Sequence, residues 1–170
     1  HSTVLMPQLE ASLSPSDAQL TLWGMGMGDA RLVVGVCDSA DTASFVALDT
    51  VAVRAYRYGS HCTYLHRYAG TGRYVALHNM GPDELYLDDV VLEPAPSCLP
   101  VYGLRQTAMT ATSVTLALQS YGDESQWEVC WLTDTTLQPT AGTLVASNPY
   151  TVQGLTPGEV VACYVRPVCG

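Results

Sequence analysis

Several groups of residues carry chemistry that could be used. Asp88 and Asp89 stand side by side in Tyr86-Leu-Asp-Asp-Val-Val-Leu92, a run of β-formers. Neighbouring strand residues point to opposite faces, so one of the two acids is expected to share a row with apolar side chains. A carboxylate placed there needs a hydrogen bond, a cation or a raised pKa. His61, Cys62 and His66 lie close together in Gly59-Ser-His-Cys-Thr-Tyr-Leu-His66. As a zinc site they lack a fourth ligand and the usual spacing. As a Cys/His nucleophile pair they lack an orienting Asn or Asp, and they read as surface histidines on a β-loop. Tyr56, Tyr58, Tyr64, Tyr68 and Tyr74 fall in one short stretch with Arg54, Arg57 and Arg73. Aromatic faces stack on sugar rings and arginines bond to hydroxyls or acids, which singles out Tyr56, Arg57 and Tyr58 as ligand-binding candidates. Alternating tyrosines are also ordinary strand residues.

Other patterns exclude more than they offer. Gly24-Met-Gly-Met-Gly28 has the glycines of a nucleotide loop but leads into the strand Arg31-Leu-Val-Val-Gly-Val36, whereas a phosphate loop opens a helix. It reads as a turn. There is no Gly-x-Ser-x-Gly elbow and no His-Glu metalloprotease pair. All seven basic residues are arginine, which removes Schiff-base and phosphate-loop lysines. A catalytic set is therefore not expected. The net charge of −9 argues against nucleic acid, whose phosphates need a positive surface. No apolar run approaches the roughly 20 residues of a membrane-spanning helix.

None of the six cysteines (37, 62, 98, 130, 163, 169) belongs to a Cys-x-x-Cys pair. An even count permits disulfides in an oxidising compartment. A bridge between Cys98 and Cys169 is favoured, since those two flank the second half of the chain. Cys130 and Cys163, if on inner strands, read as buried thiols acting as small hydrophobes.

The elements that must position these residues are all strands. Gln19–Trp23 alternates, and Arg31–Val36, Ser44–Leu48, Thr50–Tyr58, Cys62–Tyr68, Arg73–His78 and Tyr86–Leu92 follow, with turn signals between them. No window of a dozen residues holds a helical apolar period. Pro94 and Pro96 then remove ladder donors, so 94–98 reads as a proline-rich linker between two domains, 1–93 and 99–170. Tyr102–Ala108, Ser113–Ser120, Trp127–Thr133, Pro149–Gly154 and Glu159–Val168 are the strands of the second domain, with Leu155-Thr-Pro-Gly158 a turn before the last of them. Trp127 and Trp131 read as its core.

The order Leu32-Val-Val-Gly-Val36, Phe45-Val-Ala-Leu-Asp-Thr-Val51, Tyr68-Ala-Gly-Thr-Gly-Arg-Tyr-Val-Ala-Leu77 and Leu87-Asp-Asp-Val90 resembles the jelly-roll module of surface and secreted proteins of Bacteroidetes-type bacteria. It is similar to cleaved-adhesin and MAM-like modules, with the front strands of the module missing. The residues Ala111-Thr-Ser-Val-Thr-Leu116, Trp127-Glu-Val129, Val152-Gln-Gly-Leu-Thr-Pro-Gly158 and Tyr164-Val-Arg-Pro-Val-Cys169 resemble a fibronectin type III domain without its last strand. These resemblances imply an all-β chain, a partial jelly-roll sandwich followed by a fibronectin type III-like (immunoglobulin-like) sandwich. They also imply a fragment of a larger exported bacterial protein, extracellular or at the cell surface. The expected role is non-catalytic adhesion or carbohydrate binding to a glycan or host surface protein, with a spacer between other domains as the alternative. Related jelly rolls hold structural calcium, which makes Asp88 and Asp89 candidate ligands; no other cofactor is expected. The missing strands leave open edges that another chain could complete.

Overall fold

A computed structural model of the chain describes residues 2–28 and 30–169; His1, Asp29 and Gly170 lie outside the described residues. The protein is all-β, built of antiparallel sheets. It divides into two compact units, 1–95 and 96–170.

The first unit contains β1 (Thr3–Leu5), β2 (Ala18–Gly26), β3 (Arg31–Cys37), β4 (Val46–Ala52), β5 (Gly59–Tyr64), β6 (Tyr74–Asn79) and β7 (Leu85–Pro94). They form two sheets, ordered β1-β6-β3-β4 and β5-β2-β7. Period-two alternation sends Leu20 and Leu22 of β2 and Leu32 and Val34 of β3 into one core with Val75 and Leu77 of β6. Leu85, Leu87, Val90 and Leu92 of β7 pack against it. Truncating a fully buried leucine such as Leu20 would cost about 2–5 kcal/mol, so this shared core is what holds the two sheets together. Thr63 of β5, itself buried, donates to Asp49 Oδ2 of β4 at 3.2 Å and adds a polar tie between them.

Four local readings need correction. Glycine does not stop β2 at Trp23: the strand runs through Gly24 to Gly26. A Cβ on Gly26 would lie 2.7 Å from the Cβ of Ala30, so close packing rather than a turn selects that glycine. The apolar stretch after residue 44 forms one strand, β4, that ends at Ala52, so Tyr56 and Tyr58 lie in a loop and not on a strand. β5 closes at Tyr64, which leaves His66 beyond it. β7 also absorbs Pro94, which pairs with Ala18 at the strand end, so the linker is shorter than its prolines suggest.

The second unit contains β8 (Val101–Met109), β9 (Ser113–Ser120), β10 (Trp127–Leu132), β11 (Thr143–Val145), β12 (Tyr150–Gln153) and β13 (Ala162–Pro167). Its sheets are β12-β9-β8 and β11-β10-β13. Trp127, Val129, Val114 and Val152 form the core, with Trp131 packed against them. The short β11 has no clear sequence signal. It is held on β10 by pairing of Trp127 with Val145 and by Glu128, which accepts a hydrogen bond from the Gly142 N–H at 2.7 Å. Gly158, at φ +81°, makes the turn before β13, a backbone conformation that favours glycine. Cys98 and Cys169 are joined by a disulfide, with 5.7 Å between their Cα atoms. Cys130 and Cys163 are only half-buried. Cys130 lies opposite Tyr164 and Cys163 opposite Trp131, so adjacent strands send the two thiols to opposite faces. Burial raises the Cys163 pKa, with Cys130 adding to the rise.

Candidate binding face

The side chains of β2 that alternate with its buried leucines are Gln19, Thr21, Trp23 and Met25. They line the outer face of the β5-β2-β7 sheet. Pairing sets each in a row: Ser60, Trp23 and Asp88 lie across from one another, as do Cys62, Thr21 and Val91, and Tyr64, Gln19 and Glu93. Met25 lies opposite Tyr86. Directly opposed side chains start about 5 Å apart at Cβ, so Trp23 is flanked by a hydroxyl on one side and a carboxylate on the other.

The acids of β7 reach this face through a β-bulge. Thr21 pairs with Val91 but Trp23 pairs with Asp88, so Asp89 and Val90 together oppose Leu22. Asp89 adopts φ +48°, a left-handed conformation that Asp tolerates better than most residues. Its N–H donates to Asp88 Oδ1 at 2.9 Å. The extra residue breaks strict alternation, and both carboxylates are exposed. The expectation that one of them faces the core is therefore wrong, because a bulge resets which face the next side chain takes.

Aromatic surface completes the face. Trp23 is 46% exposed and Tyr86 42%. The Tyr86 hydroxyl donates to Glu84 Oε2 at 2.6 Å, which fixes the ring. That bond and the Glu84 charge push the Tyr86 pKa up, with a smaller contribution from Tyr58. Tyr58 thus stands near Tyr86 at the end of the sheet. The loop that carries Tyr56, Arg57 and Tyr58 is tied to β2 by backbone bonds: Gly26 N–H to the Arg54 carbonyl at 3.0 Å and Tyr56 N–H to the Gly26 carbonyl at 2.8 Å. Tyr56, at φ +56°, is 70% exposed, Tyr58 is 45% exposed, and Arg57 is exposed beside them. A cleft of about 520 Å³ begins at Glu84 and Tyr86 and is lined further by Val4, Leu32, Leu77 and Asn79.

The remaining sequence candidates do not converge here. Tyr68 is buried, accepting from the Gly72 N–H at 2.8 Å and donating to Asp38 Oδ1 at 3.1 Å. Tyr74 belongs to β6 in the other sheet. Arg73 is spent on the carbonyls of Leu9, Glu10 and Leu13 and cannot serve a ligand. His61 points inward opposite Leu22, and burial first, then Arg54, lowers its pKa. Cys62 faces out, its thiol toward Gln19 Oε1 at 3.9 Å. His61 and Cys62 thus face opposite ways and form no nucleophile pair. Among the described residues no three His, Cys, Asp or Glu side chains are grouped to hold a metal ion. No helix is long and apolar enough to cross a membrane. Trp23 is the residue that reading by motif passed over. Its signal was the alternation Gln19-Leu-Thr-Leu-Trp23, which puts it on the face opposite Leu20 and Leu22.

What fold and face define together is an all-β chain of antiparallel sheets with a solvent-facing aromatic and acidic surface. No family model matches the chain, and no curated protein matches it. Among solved structures, it is similar to the glycoside hydrolase domain of Endo-D from Streptococcus pneumoniae R6, at 11% identity and a TM-score of 0.30. That alignment covers 89% of this chain and 29% of the other, so the chain spans less than a third of the structure it matches.

Proposed function

We propose that this chain is a non-catalytic carbohydrate-binding and adhesion segment of a larger exported bacterial surface protein. Its ligand surface is the outer face of the β5-β2-β7 sheet. The observation that carries the reading is Trp23, an indole held in solvent at the centre of a sheet, between Ser60 and Asp88. Stacking on a sugar uses the apolar face of the ring, while flanking hydroxyl and carboxylate groups bond to the sugar's hydroxyls. Tyr86 and Tyr58 extend the aromatic surface, with Tyr56 and Arg57 at its rim. The disulfide fits an oxidising compartment. The strand orders of the second unit, β12-β9-β8 and β11-β10-β13, support a fibronectin type III-like reading. The resemblance to adhesin-like jelly rolls supports the first.

Asp88 and Asp89 serve here as acceptors for sugar hydroxyls. Calcium takes six to eight oxygens, which makes a structural ion at this pair the lesser reading. The test is a glycan screen of the folded chain with calcium and with chelator. Trp23→Ala should abolish binding that Tyr56→Ala only weakens, and chelator should leave it unchanged. Binding that survives Trp23→Ala sinks this face as the ligand surface.

A spacer remains the second reading, and the second unit motivates it. The disulfide, however, limits the length that residues 98–169 add along the chain to the 5.7 Å between its Cα atoms. Spacing would have to come from the width of that unit.

A further inference from the structure

Resting on the glycan reading, we propose that the Trp23 face selects saccharide chains bearing free amino groups, hexosamines, over uncharged chains and rejects carboxylated or sulfated ones. The face is aromatic, and the charge carried by its strands is one-sided, with Arg57 standing only at the rim. No Lys or Arg occurs anywhere in β2, β5 or β7. β7 places Asp88, Asp89 and Glu93 outward, and Glu84 holds the Tyr86 hydroxyl beside them. The bulge at Asp89 sets two carboxylates in succession on the exposed side of one strand, where regular alternation would allow one.

Each part of a hexosamine meets a matching group. The ring's apolar face lies on the indole of Trp23. An ammonium at the ring's edge then meets the Asp88 carboxylate, whose Cβ starts about 5 Å from that of Trp23. The π-faces of Trp23 and Tyr86 attract the same cation. Ser60, on the other side of Trp23, is left for a ring hydroxyl. Glu93 is bridged by Gln19 Nε2 at 2.9 Å, which anchors it one row away and adds to the negative field. A sugar carboxylate or sulfate placed on the indole would sit against Asp88 with no cation in the sheet strands to compensate.

Calorimetry on the whole chain tests this with three short oligomers of matched length: β-1,4-glucosamine, its N-acetylated form, and glucuronate. The glucosamine oligomer is expected to bind about fivefold tighter than the acetylated one at about 50 mM salt, as exposed ion pairs allow. The preference should shrink toward unity at about 500 mM salt, and glucuronate should not bind. Asp88→Asn with Asp89→Asn should erase the preference, so that the glucosamine oligomer binds no tighter than the acetylated one. Trp23→Ala, which keeps every charge, should abolish binding of both, and Trp23→Tyr should restore most of it. Equal binding of glucosamine and its acetylated form, or binding of glucuronate, overturns the selectivity and leaves the glycan reading standing. Glucosamine binding untouched by Trp23→Ala would be attraction to the net charge of −9 alone, and it overturns both.

Discussion

On β3, an inner strand of the β1-β6-β3-β4 sheet, the outward side chains are as buried as the inward ones. Val33 and Cys37 point away from the core of the first unit yet are 4% and 0% exposed. On the β5-β2-β7 sheet the outward Trp23 and Tyr86 stand in solvent. The difference lies in what covers each sheet. Residues 42–45 fold across β3 and lay Phe45 on Gly35, where a Cβ would come within 2.5 Å of the ring and 2.3 Å of the Val46 carbonyl oxygen. The same ring meets His78 at 6.0 Å between centroids. A glycine is the only residue that permits this close approach. The first face is therefore built to be closed. The second carries the larger aromatic and no such cover among the described residues, which is the mark of a surface kept for something else.

The contrast can be broken experimentally in steps. Replacing Cys98 and Cys169 by serine should cost the second unit roughly 4 kcal/mol, since the bridge closes a long loop in the unfolded chain. Binding at the Trp23 face should persist; its loss would place the ligand surface elsewhere. Gly35→Val should cost the first unit about 3 kcal/mol, because Val46 and Phe45 must both move. Gly59→Ala in β5, whose nearest neighbour would be His61 Nε2 at 3.5 Å, should stay within about 0.5 kcal/mol. Denaturant melts that show equal costs would mean the sealed sheet is no tighter than the open one. Next in size, Phe45→Ala should cost about 2 kcal/mol, since its ring is only half-buried. Trp23→Ala should cost under about 0.5 kcal/mol while removing glycan binding. A large loss of stability at Trp23 would make it a structural residue.

The smallest effect separates two tyrosines with raised pKa values. Burial is the main cause at Tyr68, whereas at Tyr86 it is the hydrogen bond and charge of Glu84. In both, the fold favours the protonated phenol. Each therefore contributes stability that is fully present below about pH 10, where free tyrosine ionises, and that is lost as pH rises through the higher folded value. Absorbance titration should show Tyr86→Phe removing one late transition. Added salt should move the Tyr86 transition down further than that of Tyr68, because burial, which salt does not screen, is the main cause at Tyr68.

Much of this chain is local in origin. Alternating Leu20 and Leu22, the valine-rich run Leu32–Val36 and the Pro-Gly turn at 157–158 act on their own segments, so strands and the all-β class could be read from order alone. The same alternation already put Trp23 on the outer side of β2. What the sequence could not determine is which outer face stays open. That depended on Phe45 crossing to Gly35 and on the pairing of β2 with β7, whose register shift at Leu22 turned both Asp88 and Asp89 outward. A bulge has no local signature, because it is a mismatch between two strands far apart in sequence. The inward turn of His61 and the capture of Arg73 by the 9–13 carbonyls likewise needed partners from elsewhere in the chain. Side-chain alternation is a property of one strand; exposure is a property of whatever packs against it, and only the tertiary structure supplies that.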